Sequence, residues 1–312
     1  MKRPISISFG ETENVKHKKT NEKPYNPPIM PVNTTVPSII HYIWLGSPLN
    51  TNQICRVINH VVKNSIGFKF IIWTDSYSEY YRLKAVIVDA NSYADFFLRE
   101  SKLYFVNNIE VRVIGEYLKE VNVRNYSAFI RESIGAYRNY AAASDILRLL
   151  ILYHIGGVYL DLDAELYSKL NVSAVQSQYG FSVREVVPGR AAIQNNIIAV
   201  APNHPWIKLM LDSIERNYSA PINENYTWSK KRSNLEYDPF SKMSVPNPFL
   251  SHCRLEQTII ITGPALLYNV LNEGGVIQYI GTMCQYFKCP DASAKWADIS
   301  HVNLRDSSES PF

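Results

Sequence analysis

Several features that would assign this sequence to a membrane, secreted or nucleic-acid-binding class are scarce or missing. It has only four cysteines, Cys55, Cys253, Cys284 and Cys289, and no pair of them has metal-ligand spacing. No run reaches the roughly 18 apolar residues of a membrane span, and the first residues lack the apolar run of a signal peptide. The net charge of +4 is small and its basic residues are scattered, so nucleic-acid binding is not expected. We expect a soluble domain that works in a reducing compartment.

What is present is the composition of a globular enzyme. Of the 312 residues, 46% are hydrophobic and 19% are charged, and this length suffices for one large domain. Residues 1–36 are rich in Lys, Asn, Thr and Pro, which predicts a flexible N-terminal tail. The sequence therefore divides into that tail and a single domain at 37–312.

The most informative stretch is 144–163. It predicts an apolar helix that stops at Gly156-Gly157, because glycine can adopt the backbone conformation that ends a helix without a Cβ penalty. A short buried strand follows, and it runs into Asp161 and Asp163. Since strand side chains alternate, we expect the two aspartates to share a face while Leu162 enters the core.

Two carboxylates at one strand end should repel each other, and neither has a basic neighbour in sequence. A hard divalent cation such as Mg²⁺ or Mn²⁺ between Asp161 and Asp163 would relieve the repulsion. On the preceding helix, Asp145 and Arg148 are three residues apart and share a face. They form either a simple intrahelical ion pair or a pair that is drawn out of water for a functional purpose.

The N-terminal half predicts an α/β fold. Strands at 39–45 and 68–75 flank a helix at 53–63, which is the pattern of a right-handed βαβ unit with a parallel sheet. A third strand is expected at 85–88, and helices are expected over 92–119 and 126–155. Trp44, at the end of the first strand beside Gly46, is either a core aromatic or a plate on which a nucleobase or sugar stacks.

No phosphate-binding glycine loop is present. After Leu45 there is only Gly46, and Gly156-Gly157 precedes a strand instead of opening a helix, so the dinucleotide fingerprint is missing. If phosphate is bound, a metal on the two aspartates is the better candidate to hold it. This favours nucleotide-sugar chemistry.

Three segments together resemble a known family. Ile-Trp-Leu-Gly at 43–46, Ala-Ala-Ala-Ser-Asp-Ile-Leu-Arg at 141–148 and Ile-Gly-Gly-Val-Tyr-Leu-Asp-Leu-Asp at 155–163 are similar to the bacterial toxin glycosyltransferases of the large clostridial and Photorhabdus/Yersinia Rho-modifying types. The resemblance implies a GT-A fold, in which a central, mostly parallel sheet is flanked by helices with helical and loop additions. Residues 37–312 would then be the catalytic domain.

The resemblance also implies roles for residues. Asp163 would be the direct metal ligand, and Asp161 would lie near the metal and the ribose. Asp145 and Arg148 would grip sugar hydroxyls and phosphate, for which a guanidinium fork is suited. Trp44 would stack on uracil.

Further residues are assigned by the same resemblance. Asn195 or Asn196 would hydrogen-bond the sugar or the acceptor from across the cleft, and a C-terminal loop would complete the metal shell through His301 and Asn303, although His301 is as well explained as a surface histidine. The expected donor-binding neighbours are Ile43, Ser144, Tyr159 and Asn196.

The implied activity is that of a toxin domain. A UDP-sugar carrying glucose or N-acetylglucosamine would donate its sugar with retention of configuration, with Mn²⁺ or Mg²⁺ bound, to a hydroxyl side chain of a host Rho-family GTPase. The chain would be a monomer secreted or injected by a bacterium and active in the host cytosol. The long polar segment at 216–256 would help to dock the acceptor protein.

Three alternatives stay open. A phosphohydrolase of the haloacid dehalogenase kind also ends a strand in Asp-X-Asp, but on its first strand, whereas this motif lies mid-chain. A calcium module would need glycine and glutamate where Leu166 and Val172 stand. A sugar transferase that modifies glycans would share the motifs and differ only in its acceptor.

Overall fold

The structure is a computed structural model. It describes residues 34–64, 67–94, 108–121, 126–134, 138–166, 170, 172–184, 193–219, 258–259, 261–283 and 287–288. Most of the segment at 216–256 lies outside these ranges. Some predictions also concern residues outside them: Cys253, Cys284, Cys289, His301 and Asn303. Cys55 is an exposed free thiol.

A seven-stranded mixed sheet is the centre of the fold. Its spatial order is β3-β2-β1-β4-β7-β6-β8, and a separate two-stranded sheet pairs β5 with β9. The first four strands of that order are mutually parallel, and β7 is antiparallel to both β4 and β6. The strands are β1 (Ile39–Trp44), β2 (Lys69–Thr74), β3 (Ile109–Val113), β4 (Gly157–Leu160), β5 (Glu165–Leu166), β6 (Phe181–Val183), β7 (Ile197–Val200), β8 (Gly281–Thr282) and β9 (Phe287–Lys288).

Helices cover both faces of the sheet. They are α1 (Thr51–Asn64), α2 (Tyr77–Ala94), α3 (Ile114–Glu120), α4 (Tyr126–Ser133), α5 (Tyr140–Ile155), α6 (Pro205–Ser219) and α7 (Pro264–Glu273), with 3₁₀ turns at Val172–Val175 and Ile277–Tyr279. Among the described residues, no helix combines the length and the apolar character that crossing a membrane requires.

Alternation along the strands builds two cores. In β2, Ile71 and Trp73 join the cluster beneath α3 to α7, whereas Phe70 and Ile72 join the cluster beneath α1 and α2. The inner strands are thus buried on both faces, whereas the edge strands β3 and β8 are only partly buried. Burial on both faces explains why the inner strands read as short, continuous apolar runs in the sequence. The expected α/β architecture with a mostly parallel sheet is confirmed.

Two predictions of secondary structure are wrong. Residues 85–88, predicted as a strand, lie inside α2, where Leu83 and Ile87 face the core and Val88 is exposed. Part of the helix predicted at 92–119 is the edge strand β3, in which Val111 and Val113 are buried and the intervening Arg112 is not. The strands predicted at 39–45 and 68–75 and the helix at 53–63 are confirmed, with bounds shifted by one or two residues.

The double glycine joins the central helix to the sheet as expected. Gly156 caps α5 through an N–H that donates to the Leu152 carbonyl oxygen at 3.0 Å. Its φ of 70° and ψ of −165° lie in a region that is essentially restricted to glycine. A Cβ on Gly157 would lie 2.6 Å from the carbonyl oxygen of Ile39. The chain therefore turns from α5 into β4 only because neither residue has a side chain.

The N-terminal end of the described chain is packed into the fold. Val36 is buried, and its backbone N–H and carbonyl oxygen bond to the side-chain amide of Gln176 at 2.9 and 2.8 Å. The division into a tail at 1–36 and a catalytic domain stays a prediction.

Two buried histidines are fixed as neutral rings by their partners. His41 donates from Nε2 to the Gly156 carbonyl oxygen at 2.9 Å and accepts at Nδ1 from Trp73 Nε1 at 3.2 Å. His204 donates to the Tyr179 carbonyl oxygen and accepts from the backbone N–H of Trp206. Burial lowers the pKa of each histidine to about 4. A proton on either Nδ1 would face an N–H group.

We expect these histidines to make the fold sensitive to acid. Because their pKa values are lowered from 6.5 to about 4 in the folded state, the unfolded chain takes up protons first as pH falls, and stability is lost below pH 6.5. Each histidine should lower the free energy of unfolding by about 2 kcal/mol between pH 7 and pH 5. Urea unfolding of the wild type, His41→Gln and His204→Gln across this range would measure it. The variants should show flatter pH dependence, and equal slopes would contradict the prediction. Carboxylates that titrate in the opposite sense cancel in the comparison.

Candidate active site

The residues singled out by the sequence meet at the carboxyl edge of the parallel strands. β1 and β4 are parallel, and the register that pairs His41 with Tyr159 brings the end of β1 level with Asp161. β7 runs the other way beside β4, so it begins at the same edge, directly after Asn195 and Asn196. Ligands of open α/β sheets bind at this kind of edge.

The Asp-X-Asp segment is a turn and not the end of the strand, which corrects the sequence-based expectation. β4 stops at Leu160. The Asp161 N–H donates to the Asn196 carbonyl oxygen at 2.9 Å, and the Ala164 N–H closes the turn onto the Asp161 carbonyl oxygen at 3.0 Å. Leu162 is buried, as predicted.

Helix α5 places a buried ion pair beside this turn. Arg148 Nη2 lies 2.9 Å from Asp145 Oδ1, and the two side chains are 2% and 1% exposed. The pair is intrahelical, as the simpler interpretation held. It is also withdrawn from water and linked to other elements, as the functional interpretation required.

Asp145 is fully occupied by protein groups. Besides Arg148, Asn195 Nδ2 donates to Oδ1 at 2.8 Å and Thr262 Oγ1 donates to Oδ2 at 3.1 Å. Burial raises the pKa of Asp145, while Arg148 and these two hydrogen bonds oppose the rise. In this arrangement Asp145 orients Arg148 and Asn195. Its direct grip on sugar hydroxyls stays a prediction that would require an exchange of these partners.

Arg148 connects the helix to both neighbouring segments. Its Nη1 donates to the Asn195 carbonyl oxygen at 2.7 Å and lies 3.7 Å from Asp161 Oδ1. The guanidinium also stands 4.3 Å from the ring centre of Tyr159 and contacts Ser144 Oγ at 3.4 Å. Burial by itself lowers the pKa of Arg148, but the surrounding acidic groups raise it by more. Arg148 therefore stays positively charged.

Asp161 therefore has a positive neighbour that its sequence surroundings did not show. Tyr159 OH donates to Asp161 Oδ1 at 2.5 Å, and the contact with Arg148 also falls on Oδ1. Burial raises the pKa of Asp161 to about 6, against the effects of Arg148 and Tyr159, and the charge of Asp163 adds to the rise. Oδ2 has no partner among the described residues and can face a ligand.

The two aspartates fit a divalent cation. The carboxylate of Asp163 makes no hydrogen bond or ion pair to any described residue, and Asp161 keeps one oxygen free. Hard oxygen donors of this kind suit Mg²⁺ or Mn²⁺. No group of three His, Cys, Asp or Glu residues in the described part of the chain is arranged to bind a metal. A third ligand from His301 or Asn303 stays a prediction outside the described residues.

The end of β1 carries the expected aromatic, and Gly46 beside it makes room for another aromatic ring. Trp44 is half-buried, and its Nε1 donates to the Ser47 carbonyl oxygen at 2.5 Å. A Cβ on Gly46 would lie 2.1 Å from the ring of Tyr140, so that ring, and not a ligand, approaches the glycine here. Ile43 is a core residue, 6% exposed. Stacking of Trp44 on a base stays a prediction.

The two asparagines differ in their surroundings. Asn195 is 4% exposed and bonds to Asp145 and Arg148, so it supports the network instead of reaching across an open cleft. Asn196 donates from Nδ2 to Gln194 Oε1 at 3.3 Å, and its buried Oδ1 has no hydrogen-bond partner in the part of the chain that the structure describes. Asn196 is thus the better placed of the two to accept from a ligand.

Sequence reasoning missed one residue of the network, Thr262. Thr262 lies just before α7. Its Oγ1 donates a hydrogen bond to the Thr258 carbonyl oxygen, which closes a short turn. Its contact with Asp145 spans more than a hundred residues of sequence. Nothing local in the sequence could have signalled that contact.

Comparison with known proteins agrees with this geometry. Residues 51–180 match the family model described as "Glycosyltransferase sugar-binding region containing DXD motif". The chain is 25% identical over 241 residues to subversion of eukaryotic traffic protein A of Legionella pneumophila. This alignment covers 76% of this chain and 32% of that protein. It is 26% identical over 146 residues to inositol phosphoceramide mannosyltransferase 2 of Schizosaccharomyces pombe, covering 42% of this chain and 38% of that protein. The chain thus spans about a third of the length of each relative.

The fold is shared with a solved toxin domain. The UDP-bound glycosyltransferase domain of the YGT toxin superposes with a TM-score of 0.51 at 13% identity, covering 82% of this chain and 81% of that one. At this identity the likeness concerns the fold alone. The GT-A architecture is thereby confirmed, and the family match at 51–180 confirms the resemblance to glycosyltransferases with a DXD motif.

Proposed function

We propose that this chain is a metal-dependent retaining glycosyltransferase that moves a hexose or an N-acetylhexosamine from a UDP-sugar to a hydroxyl side chain of a host protein, of the Rho GTPase type. The observation that carries the proposal is the pairing of Asp161 and Asp163 beside the buried Arg148 at the carboxyl edge of parallel strands. Free carboxylate oxygens and a fixed cation at one edge of the sheet support the binding of a nucleoside diphosphate there.

The contacts of each residue indicate its proposed role. Asp161 Oδ2 and Asp163 would hold Mn²⁺ or Mg²⁺, and the chemistry such an ion supplies is neutralisation of the charge on a departing diphosphate. Arg148 keeps Asp161 and the Asn195 carbonyl in place. Trp44 would stack on the uracil. The proton of the acceptor hydroxyl would pass to the departing phosphate on the same face of the sugar.

Support for a host-protein acceptor comes from the kind of relatives the chain has. One is named for subversion of eukaryotic traffic, and the solved neighbour is a toxin domain. A bacterial protein of this kind would act in the host cytosol after secretion or injection. We include the Rho type because the motif resemblance implies it.

The test is a donor and acceptor screen. The purified chain, Mn²⁺ and each of several UDP-sugars are incubated with and without purified Rho-type GTPases, and UDP release and intact protein mass are measured. We expect one donor to be hydrolysed and one GTPase to gain a single sugar. If every donor stays intact and UDP does not bind, the proposal is wrong. If a donor is hydrolysed but no GTPase gains mass, only the proposed acceptor is wrong.

A sugar transferase that modifies glycans or lipid-linked sugars is the second candidate. The similarity to a mannosyltransferase of inositol phosphoceramide favours it. The donor reaction would be the same, so only the acceptor discriminates. Adding vesicles that contain glycosylated inositol lipids to the same screen, and analysing the lipids by mass spectrometry, would identify this activity.

Removal of the Tyr159 hydroxyl should weaken donor binding more than folding. In Tyr159→Phe, Asp161 loses its 2.5 Å donor, so Oδ1 is free to rotate and the orientation of Oδ2 is no longer set. Loss of such a supporting contact typically costs roughly tenfold or more in metal affinity. Calorimetric titration of UDP in saturating and limiting Mn²⁺ would measure it. An unchanged Mn²⁺ requirement would contradict this role.

A further inference from the structure

The Asp-X-Asp turn is attached to a helix that the motif does not include. Arg56, a half-buried residue of α1, donates from Nη1 to the carbonyl oxygen of Leu162 at 2.9 Å. No other contact of the Arg56 guanidinium with a described residue is found. The bond joins the first helix of the chain to the middle residue of the turn.

This bond controls one peptide plane. The Leu162 carbonyl belongs to the peptide whose nitrogen is that of Asp163, and a peptide unit is planar. Holding the oxygen therefore fixes the orientation of the plane from which the Asp163 Cα departs. The Leu162 side chain is 8% exposed and lies in the same core cluster as Val57 and Val61 of α1. Helix α1 is thus hydrogen-bonded to the backbone of Leu162 and shares a core cluster with its side chain.

Asp163 depends on this support more than Asp161 does. The side chain of Asp161 is held by Tyr159 and Arg148. Its backbone N–H also donates to the Asn196 carbonyl oxygen, directly before β7. Asp163 has no side-chain partner among the described residues, and it lies beyond the end of β4. Its direction is set by the turn alone, and the turn is anchored on that side by Arg56.

We propose that Arg56 is a positioning residue that orients Asp163 for binding the divalent ion and the diphosphate; this rests on the proposed function. Arg56 touches neither the reacting atoms nor the carboxylates in this structure. It acts through the Leu162–Asp163 peptide.

The test uses Arg56→Met, which keeps the apolar stem and removes both the donor and the charge. Hydrogen exchange of the metal-free protein is followed by mass spectrometry in peptides that cover 158–166, and Mn²⁺ binding in the presence of UDP is titrated by electron paramagnetic resonance. We expect faster exchange in the turn and roughly tenfold weaker Mn²⁺ binding. UDP-sugar hydrolysis should fall at limiting Mn²⁺ and recover as Mn²⁺ is raised, because the ligands themselves are intact.

Arg82→Met is the matched control. Arg82, on α2, also donates a guanidinium N–H to a loop carbonyl, that of Leu49, at 2.7 Å. Its loss should lower stability without changing the Mn²⁺ affinity. Arg56→Lys keeps the charge and one donor, so it should recover part of the affinity.

The outcomes separate this inference from the proposed function. If the wild type binds neither Mn²⁺ nor UDP, the proposed function fails, while the exchange measurement still tests the anchoring of the turn. If the wild type binds both and Arg56→Met binds them equally, only the inference fails. A loss that is the same in Arg56→Met and Arg82→Met, or one that saturating Mn²⁺ does not rescue, would also overturn it.

Discussion

Replacing Asp163 with asparagine is expected to reduce UDP-sugar hydrolysis and transfer by on the order of 1,000-fold. The amide has nearly the same shape but no negative charge, so the metal-binding pair is reduced to one carboxylate. Stability should be almost unchanged, within about 0.5 kcal/mol, because Asp163 has no hydrogen-bond or ion-pair partner among the described residues. Steady-state release of UDP with saturating Mn²⁺, together with urea unfolding, measures both quantities on the same preparation.

Asp212→Asn is the control for this variant. Asp212 is a partly exposed carboxylate on α6 that pairs with Lys208 at 2.6 Å, and its change should leave hydrolysis unaffected. Wild-type hydrolysis in Asp163→Asn would remove the metal site from the proposal. Asp161→Asn is a less clean test, because it also breaks the contacts with Tyr159 and Arg148 and so combines a change in folding with a change in ligand binding.

The sequence predicted the elements that local chemistry decides. The apolar helix of residues 140–155, the double glycine and the short buried strand each follow from neighbouring residues, and the structure has all three. Leu162 is buried as predicted, but it lies in a turn and not in the alternating strand from which its burial was inferred. The order of motifs along the chain then sufficed to identify the fold, because the family's sheet brings them to one edge.

The partners across the site could not be predicted in this way. Thr262 and Asn195 reach Asp145 from segments that are far away in sequence. Arg148 is the positive group that Asp161 lacks among its sequence neighbours, and it reaches Asp161 only because the helix packs against the strand. These contacts are properties of the packed sheet edge, and a local pattern contains no information about them.

The missed strand β3 is a different kind of error, since its signal was present. Ile-Glu-Val-Arg-Val at 109–113 alternates apolar and polar residues with a period of two, which is typical of a half-buried edge strand. The residues around it have helical character, so the prediction of one helix over 92–119 hides this strand. The strand predicted at 85–88 failed for the opposite reason: four apolar residues in a row fit a strand, but the length of the surrounding segment favours a helix.

The buried pair of Asp145 and Arg148 should matter for folding as much as for chemistry. In Arg148→Met, the Asp145 carboxylate stays buried and keeps Asn195 and Thr262 as donors but loses its counter-charge. Breaking a buried pair from one side typically costs about 3–5 kcal/mol. We therefore expect a loss of that size in the free energy of unfolding, measured by urea denaturation at pH 7, and the loss of donor binding as well.

A second substitution decides whether the cost comes from the stranded charge. Adding Asp145→Asn to Arg148→Met removes the charge and keeps an oxygen that can still accept from Thr262 or Asn195, so the double variant should be more stable than the single one by about 2 kcal/mol. It should still fail to bind the donor, because no cation is left beside Asp161. The stability difference between the single variant and the wild type should also shrink as pH falls, since burial raises the pKa of Asp145 and protonation neutralises it. If the double variant is less stable than Arg148→Met, the guanidinium contributes through its contacts with Tyr159 and the Asn195 carbonyl, and Asp145 is not the group that requires it.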